Sequence, residues 1–330
     1  MNDRKSNNKE DIILEVRNLK KHFPIKTNVF TKGKGVVKAV DDISFKIKRG
    51  TTMSLVGESG CGKSTAGRTI LRLIDKTQGE VLFNGIDIYS LNKKELKDLR
   101  TDMQIIFQDP YSSLSPRLPV GEIIGEAVKE HNLVAKDEYE DYLDNVMEAC
   151  GLQPYHKDRY PHEFSGGQRQ RICIARSLAV NPEFVVCDEP VSALDVSVQA
   201  QIINLLKELQ ESRDLTYLFI SHDLSVVEHI SDTVAVMYLG KLVELGSKEQ
   251  IFKNPSHPYT KALLSAVPSS NPNKKMERIV LGGALPSPAN PPSGCRFHTR
   301  CSECMEKCKV EEPKPVEIEE GHTVACHLYS

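Results

Sequence analysis

The stretch GESGCGKST at residues 57–65 has the spacing G-x-x-x-x-G-K-[ST] between an apolar run and a helical pattern. Its chemistry is phosphate binding. Gly57, Gly60 and Gly62, with Glu58, Ser59 and Cys61 between them, allow a backbone curl whose N–H groups face anionic oxygens. The helix that follows adds the partial positive charge of its N-terminus. Lys63 neutralises the β and γ oxygens of a nucleotide, and Ser64, followed by Thr65, offers a hydroxyl to Mg²⁺.

Two further stretches fit the same chemistry. FVVCDEP, residues 184–190, is an apolar strand ending in two acids. Asp188 then stands at the carboxyl edge of a sheet, where it holds the Mg²⁺ shell, and Glu189 is the candidate for polarising the attacking water. FSGGQRQR, residues 164–171, places Ser165, Gly166 and Gly167 just before an amphipathic helix, so a hydroxyl and backbone N–H groups face a second anion site. One ATP cannot use two helix N-termini on the same phosphates unless the second comes from another subunit.

These residues need elements to hold them. DIILEVRNL and GVVKAVDDISFKI alternate as antiparallel strands, with TKGKG as the turn region between them. From TTMSLVG the pattern becomes strand, Gly-rich loop and helix, the opening of an α/β unit with a parallel sheet. DMQIIF is a short strand. VGEIIGEAVKEH, KDEYEDYLDNVMEAC and GQRQRICIARSLAV carry apolar residues at three- and four-residue spacing and predict helices over roughly 120–177. FVVCDE and TYLFIS return as strands, and TVAVMYLGKLVELG reads as a hairpin turning at Leu239-Gly240-Lys241. From about Pro255 the chain is rich in Pro, Ser and Cys, with ALPSPANPPSGC as a linker into a small module.

Composition narrows the class. With 43 Lys and Arg against 45 Asp and Glu the net charge is -2, so there is no global basic field for nucleic acid. The N-terminal MNDRKSNNKED has no apolar core of a secretory signal, and no apolar run approaches the ~18 residues that span a bilayer. The expectation is a protein of the reducing cytoplasm whose membrane role, if any, comes through a partner.

Phosphate loop, IIFQD, SGGQ, CDEP, SALD and SHD follow in an order and spacing that resembles the nucleotide-binding subunit of ABC transporters, over about residues 11–250. The resemblance implies an α/β P-loop NTPase cassette: a parallel-sheet core, an antiparallel β subdomain and a helical signature subdomain at about 110–177, with a small Cys-rich extension. The expected division is a cassette over 1–254 and a C-terminal region over 255–330. It implies that Gln108 contacts Mg²⁺ and senses the transmembrane partner. It implies that Ser165, Gly167 and Gln168 close on ATP held by another subunit, and that Ser192 and Asp195 cross the dimer interface. His222 becomes the switch near the γ-phosphate, and Phe23 the aromatic that stacks on adenine. The signature begins with Phe164 where many family members have Leu.

Nine cysteines fall into two sets. Cys61, Cys150, Cys173 and Cys187 are scattered among apolar or small residues as core thiols. Cys295, Cys301, Cys304, Cys308 and Cys326 gather in the tail, in a module over 294–328. Spacing alone leaves iron–sulfur and zinc both open, since His298, His322 and His327 lie close by. NPSHPYTKALLSAVPSSNP and the cysteines resemble the ATPase subunits of oligopeptide and dipeptide importers. That resemblance implies a [4Fe–4S] cluster on Cys295, Cys301, Cys308 and Cys326, with Cys304 left over. The tail is too short and Pro-rich to bury its own core, so a metal centre is expected to fold it.

The expected role is thus the ATPase of a peptide importer at the cytoplasmic face of the membrane. Its expected partners are a second, distinct ATPase, two permeases and, indirectly, an extracellular solute-binding protein. Nickel or oligosaccharide import is the alternative within transport. A soluble cassette ATPase acting on nucleic acid or ribosomes is disfavoured by the single cassette and the absence of a basic surplus.

Overall fold

The computed structural model describes residues 11–25, 35–267 and 279–330. In chain order it has β1 (Ile12–Pro24), β2 (Val36–Lys48), β3 (Thr52–Val56), α1 (Lys63–Ile70), β4 (Gln78–Phe83), β5 (Ile86–Asp87), α2 (Lys93–Asp102), β6 (Met103–Ile106) and α3 (Pro110–Ser113). Then come α4 (Val120–Glu130), α5 (Tyr139–Ala149), α6 (Gly166–Leu178), β7 (Phe184–Asp188), α7 (Val196–Arg213), β8 (Thr216–Ser221) and α8 (Leu224–Ile230). The last elements are β9 (Thr233–Tyr238), β10 (Lys241–Ser247), α9 (Lys248–Lys253), α10 (Pro258–Ser265), α11 (Glu306–Val310), β11 (Val316–Glu319) and β12 (His322–Val324). Most of the predicted TKGKG turn lies outside the described residues.

The chain divides into two compact units, neither continuous in sequence. One comprises Met1–Glu15, Lys46–Thr51 and Leu82–Leu218; the other comprises Val16–Phe45, Thr52–Val81 and Phe219–Ser330. The two units interleave along the sequence, and the phosphate loop and the Cys-rich tail share one of them.

In the first unit β6 and β7 run parallel, from Met103 beside Phe184 to Ile106 beside Cys187. All five residues of β7 are buried, the pattern of a strand covered on both faces. The predicted helical region forms as α3, α4, α5 and α6. α6 starts at a capping box: Ser165 Oγ accepts from the Gln168 N–H at 3.3 Å, and Gln168 Oε1 accepts from the Ser165 N–H at 3.0 Å.

In the second unit five strands lie side by side in the order β11, β12, β10, β9, β3. β3 is parallel to β9, as an α/β crossover requires, and β9 and β10 form the predicted antiparallel hairpin. Its turn residues Leu239 and Gly240 both have positive φ, 42° and 83°, the twist that joins two strands tightly.

The tail builds no separate core, as its length and Pro content imply, but is held by the neighbouring hairpin: β12 pairs with β10, Glu244 beside Val324. Phe297 is buried edge-on to Tyr238 at 5.2 Å and packs 5.3 Å from Tyr259. The tail is short of apolar residues of its own and is held by those of β9 and α10.

Candidate nucleotide site

The second unit carries the loop. β3 delivers the chain to Gly57, and Gly57 and Gly62 take φ of 152° and 110°. A Cβ at Gly57 would overlap the carbonyl oxygen of Met237, and one at Gly62 that of Ala39, so only glycine fits either place. Gly62 is the N-cap of α1, and Ser64 and Thr65 lie in its first turn. Lys63 is buried with its Nζ donating to the carbonyls of Gly57 at 2.8 Å and Glu58 at 3.1 Å. Ser59 and Gly60 are exposed at the loop's tip. Cys61 is buried, and that burial pushes its thiol up despite Lys63, so it serves as a small turn residue.

Sequence reasoning assigned Glu58 only a place in the loop. The structure also ties it to the other end of the chain, with Tyr259 on its N–H and Arg300 on its carboxylate. No local signal marks either contact.

Phe23 lies near the end of β1. It is 38% exposed, with Lys21 Nζ 4.7 Å from its ring centroid, so it is a surface aromatic and not a core residue. His222 follows β8 directly and is exposed.

The first unit carries the acids and the signature. Asp188 ends β7 and is buried, and Glu189 beside it adopts φ of 49°. A left-handed backbone at a non-glycine residue costs about 1–3 kcal/mol and persists where the surroundings impose it. Gln108, just beyond β6, donates from Nε2 to Glu189 Oε2 at 3.0 Å. The parallel pairing of β6 and β7 puts these two residues side by side. Ser192 Oγ donates to the Glu189 carbonyl at 3.1 Å, and Asp195 is the N-cap position of α7, exposed and with no side-chain cap bond. Ser165 and Gly166 are exposed, with Gly167 and Gln168 half-buried. The Ser165 hydroxyl is engaged in capping its own helix.

A family model described as ABC transporter matches residues 40–192, and one described as Oligopeptide/dipeptide transporter, C-terminal region matches residues 243–308. The oligopeptide transport ATP-binding protein AppF of Bacillus subtilis (strain 168) is 56% identical over 324 residues, which cover 97% of this chain and 98% of that one. The chain belongs to the ATP-binding subunits of ABC transporters, in the oligopeptide/dipeptide family. A probable peptide ABC transporter ATP-binding protein of Sinorhizobium fredii, y4tS, is 49% identical over 96% of this chain and 90% of its own. Among solved structures, cbiO1 of Clostridium perfringens superposes with a TM-score of 0.63 at 29% identity, covering 74% of this chain and 92% of that one. A dimer of the cassette MJ0796 bound to ADP and Pi has the same TM-score at 27% identity, covering 71% and 98%. The fold is the expected P-loop NTPase cassette, and as a member of this family the chain is an ATPase that uses ATP and Mg²⁺.

The tail cysteines form one neighbourhood. Cys295, Cys308 and Cys326 are buried and Cys301 is half-buried. Burial first, and then the charge of neighbouring tail thiols, pushes the Cys295 and Cys301 thiols up to about 11 and raises that of Cys326. Among the described residues no group of three or more His, Cys, Asp or Glu is arranged to hold a metal ion. Neither the expected cluster nor zinc is therefore shown.

Proposed function

We propose that this chain powers the import of oligopeptides or dipeptides, with ATP bound at residues 57–65 and hydrolysed at the acids after β7. The observation that carries the reading is that one chain contains both the cassette and the oligopeptide C-terminal region, with an oligopeptide relative matching it from end to end. The loop N–H groups and Lys63 hold the phosphates, and Phe23 stacks on adenine. Glu189 takes a proton from water as the water oxygen attacks the γ-phosphorus. The bond to the β–γ bridging oxygen then breaks, ADP leaves with that electron pair, and the proton passes to solvent. His222 steadies the charge gathering on the γ oxygens.

When bound, Mg²⁺ would supply positive charge to the nucleotide phosphates, and Ser64, Asp188 and Gln108 would hold it. The Gln108 bond fits this, since the amide nitrogen is spent on Glu189 and the oxygen is the atom that ligates. Ser165, Gly166, Gly167, Gln168 and Asp195 face the ATP of a second, distinct ATPase subunit. The pair drives two permeases supplied by an extracellular binding protein. Attachment is peripheral, through those permeases, at the cytoplasmic face; among the described residues no helix is long and apolar enough to cross a membrane.

The test replaces Glu189 by Gln in cells and follows uptake of labelled dipeptides and oligopeptides. Glu189→Gln should bind ATP, lose about 10²–10⁴-fold in hydrolysis and abolish peptide uptake. Loss of Ni²⁺ or oligosaccharide uptake with peptide uptake intact would replace the substrate, and near-normal turnover would sink the assignment of Glu189.

We further propose that Cys295, Cys301, Cys308 and Cys326 hold a [4Fe–4S] cluster. In such a cluster each iron takes one thiolate, so the ligands need not converge on a single ion. Their shared neighbourhood supports this. Iron and acid-labile sulfide in equal amounts after anaerobic purification are expected; zinc, or no metal, would refute it.

A further inference from the structure

One residue of the phosphate loop is gripped from outside the loop. The Glu58 carboxylate accepts Arg300 Nη1 at 2.8 Å on Oε2 and Nη2 at 3.1 Å on Oε1. This two-bond fork is the strong and directional form of an Arg–carboxylate pair. The Arg300 side chain is 9% exposed and that of Glu58 27%, so solvent screens the pair little. The Glu58 N–H donates to the buried Tyr259 hydroxyl at 2.9 Å, and its carbonyl accepts from Lys63. Every polar group of Glu58 is engaged. When Lys63 turns its ammonium to phosphate, the Cys61 N–H stays on the Glu58 carbonyl within the loop, and Arg300 and Tyr259 are the contacts that hold Glu58 from outside it.

The gripping segment is itself fixed. Arg300 ends the short 3-10 turn His298–Arg300 and precedes Cys301. Phe297 wedges against Tyr238 and Tyr259. Arg296 donates to the Leu239 carbonyl and to the Asp41 carboxylate, and Asp41 bonds His22 at 2.9 Å, beside Phe23. Residues 296–300 therefore reach both the phosphate loop and the strand that carries the exposed aromatic.

We propose that Arg300 is a positioning residue of the ATP site: through Glu58 it sets the curl of the phosphate loop, and the C-terminal Cys-rich segment thereby controls how tightly ATP is held. This rests on residues 57–65 being the phosphate loop. Two physical effects act together. An unpinned loop must be ordered on binding, which weakens affinity. An unpaired Glu58 also sets a negative charge beside the phosphates that Arg300 otherwise neutralises.

The second effect makes the test specific. ATP affinity of the full chain is measured by calorimetry, with the melting temperature followed in parallel. Arg300→Gln should raise the Kd about tenfold, within the range seen when a coupling residue remote from ligand is lost. Arg300→Lys, which keeps the charge without the fork, should raise it about threefold. Adding Glu58→Gln to Arg300→Gln should recover most of the loss, because the stranded carboxylate is gone. An unchanged Kd in Arg300→Gln overturns the proposal, as does a double variant as weak as the product of the two single losses. If Arg300→Gln does not fold, wild-type affinity in both Arg300→Lys and Glu58→Gln overturns it. A wild-type chain that binds no ATP would instead remove the nucleotide reading and leave the grip on the loop without a ligand.

Discussion

Glu189 combines a left-handed backbone, near-complete burial and a hydrogen bond from Gln108, and each condition serves the role proposed for it. The backbone turn and the amide bond together restrict the carboxylate, so little reorganisation is left for the reaction. Such residues were legible in the sequence because phosphate chemistry imposes residue types at fixed offsets. Gly57 and Gly62 follow from loop geometry, and Asp188 follows from an apolar strand ending in acid. Arg300 was not legible, since it meets Glu58 across 242 positions and nothing local marks it. Phe23 was half legible: its place after an alternating run marks a strand aromatic, and only its exposure separates a stacking surface from a core residue.

At the scale of elements, strands and helices with one strong period were read correctly, including the hairpin of β9 and β10. α10 was passed over because PYTKALLS lies in a Pro- and Ser-rich stretch, although Pro258 stands where a helix starts. β11 and β12 were hidden for a different reason: four and three residues acquire a period only when β10 supplies the edge. The start of α10 also carries a pH dependence. His257 Nδ1 accepts the Tyr259 N–H at 3.0 Å as the helix cap, and burial, with Lys261 nearby, lowers its pKa to about 3. The unfolded chain takes up this proton near pH 6.5 while the folded chain refuses it to about pH 3. Stability from this group is therefore complete above pH 6.5 and falls by up to about 1.4 kcal/mol per pH unit below it. Urea unfolding at stepped pH from 7.5 to 5 should show this slope, and His257→Asn, which caps without titrating, should reduce it. His156, whose pKa burial also lowers, leaves a residual slope. An identical slope in both proteins would exclude His257 as its source.

At the scale of the whole molecule, the residues that match the signature and the interface loop are turned to solvent. Ser165, Gly166 and Asp195 are exposed, and Val196 beside Asp195 is 81% exposed. A site that closes only against a second subunit predicts ATP-dependent association, and a distinct second ATPase predicts that this chain alone will not suffice. Blocking hydrolysis with Glu189→Gln should make the association stable. With Mg²⁺ and ATP the variant should remain monomeric in light scattering, and form a one-to-one complex when the second ATPase is added. Val196→Glu should weaken that complex about tenfold, because the interface would then bury an unpaired carboxylate. Dimerisation of this chain alone would make the ATP-bound pair a homodimer. Failure to associate with any cassette ATPase under hydrolysis block would leave the exposed signature residues without the partner that their position demands.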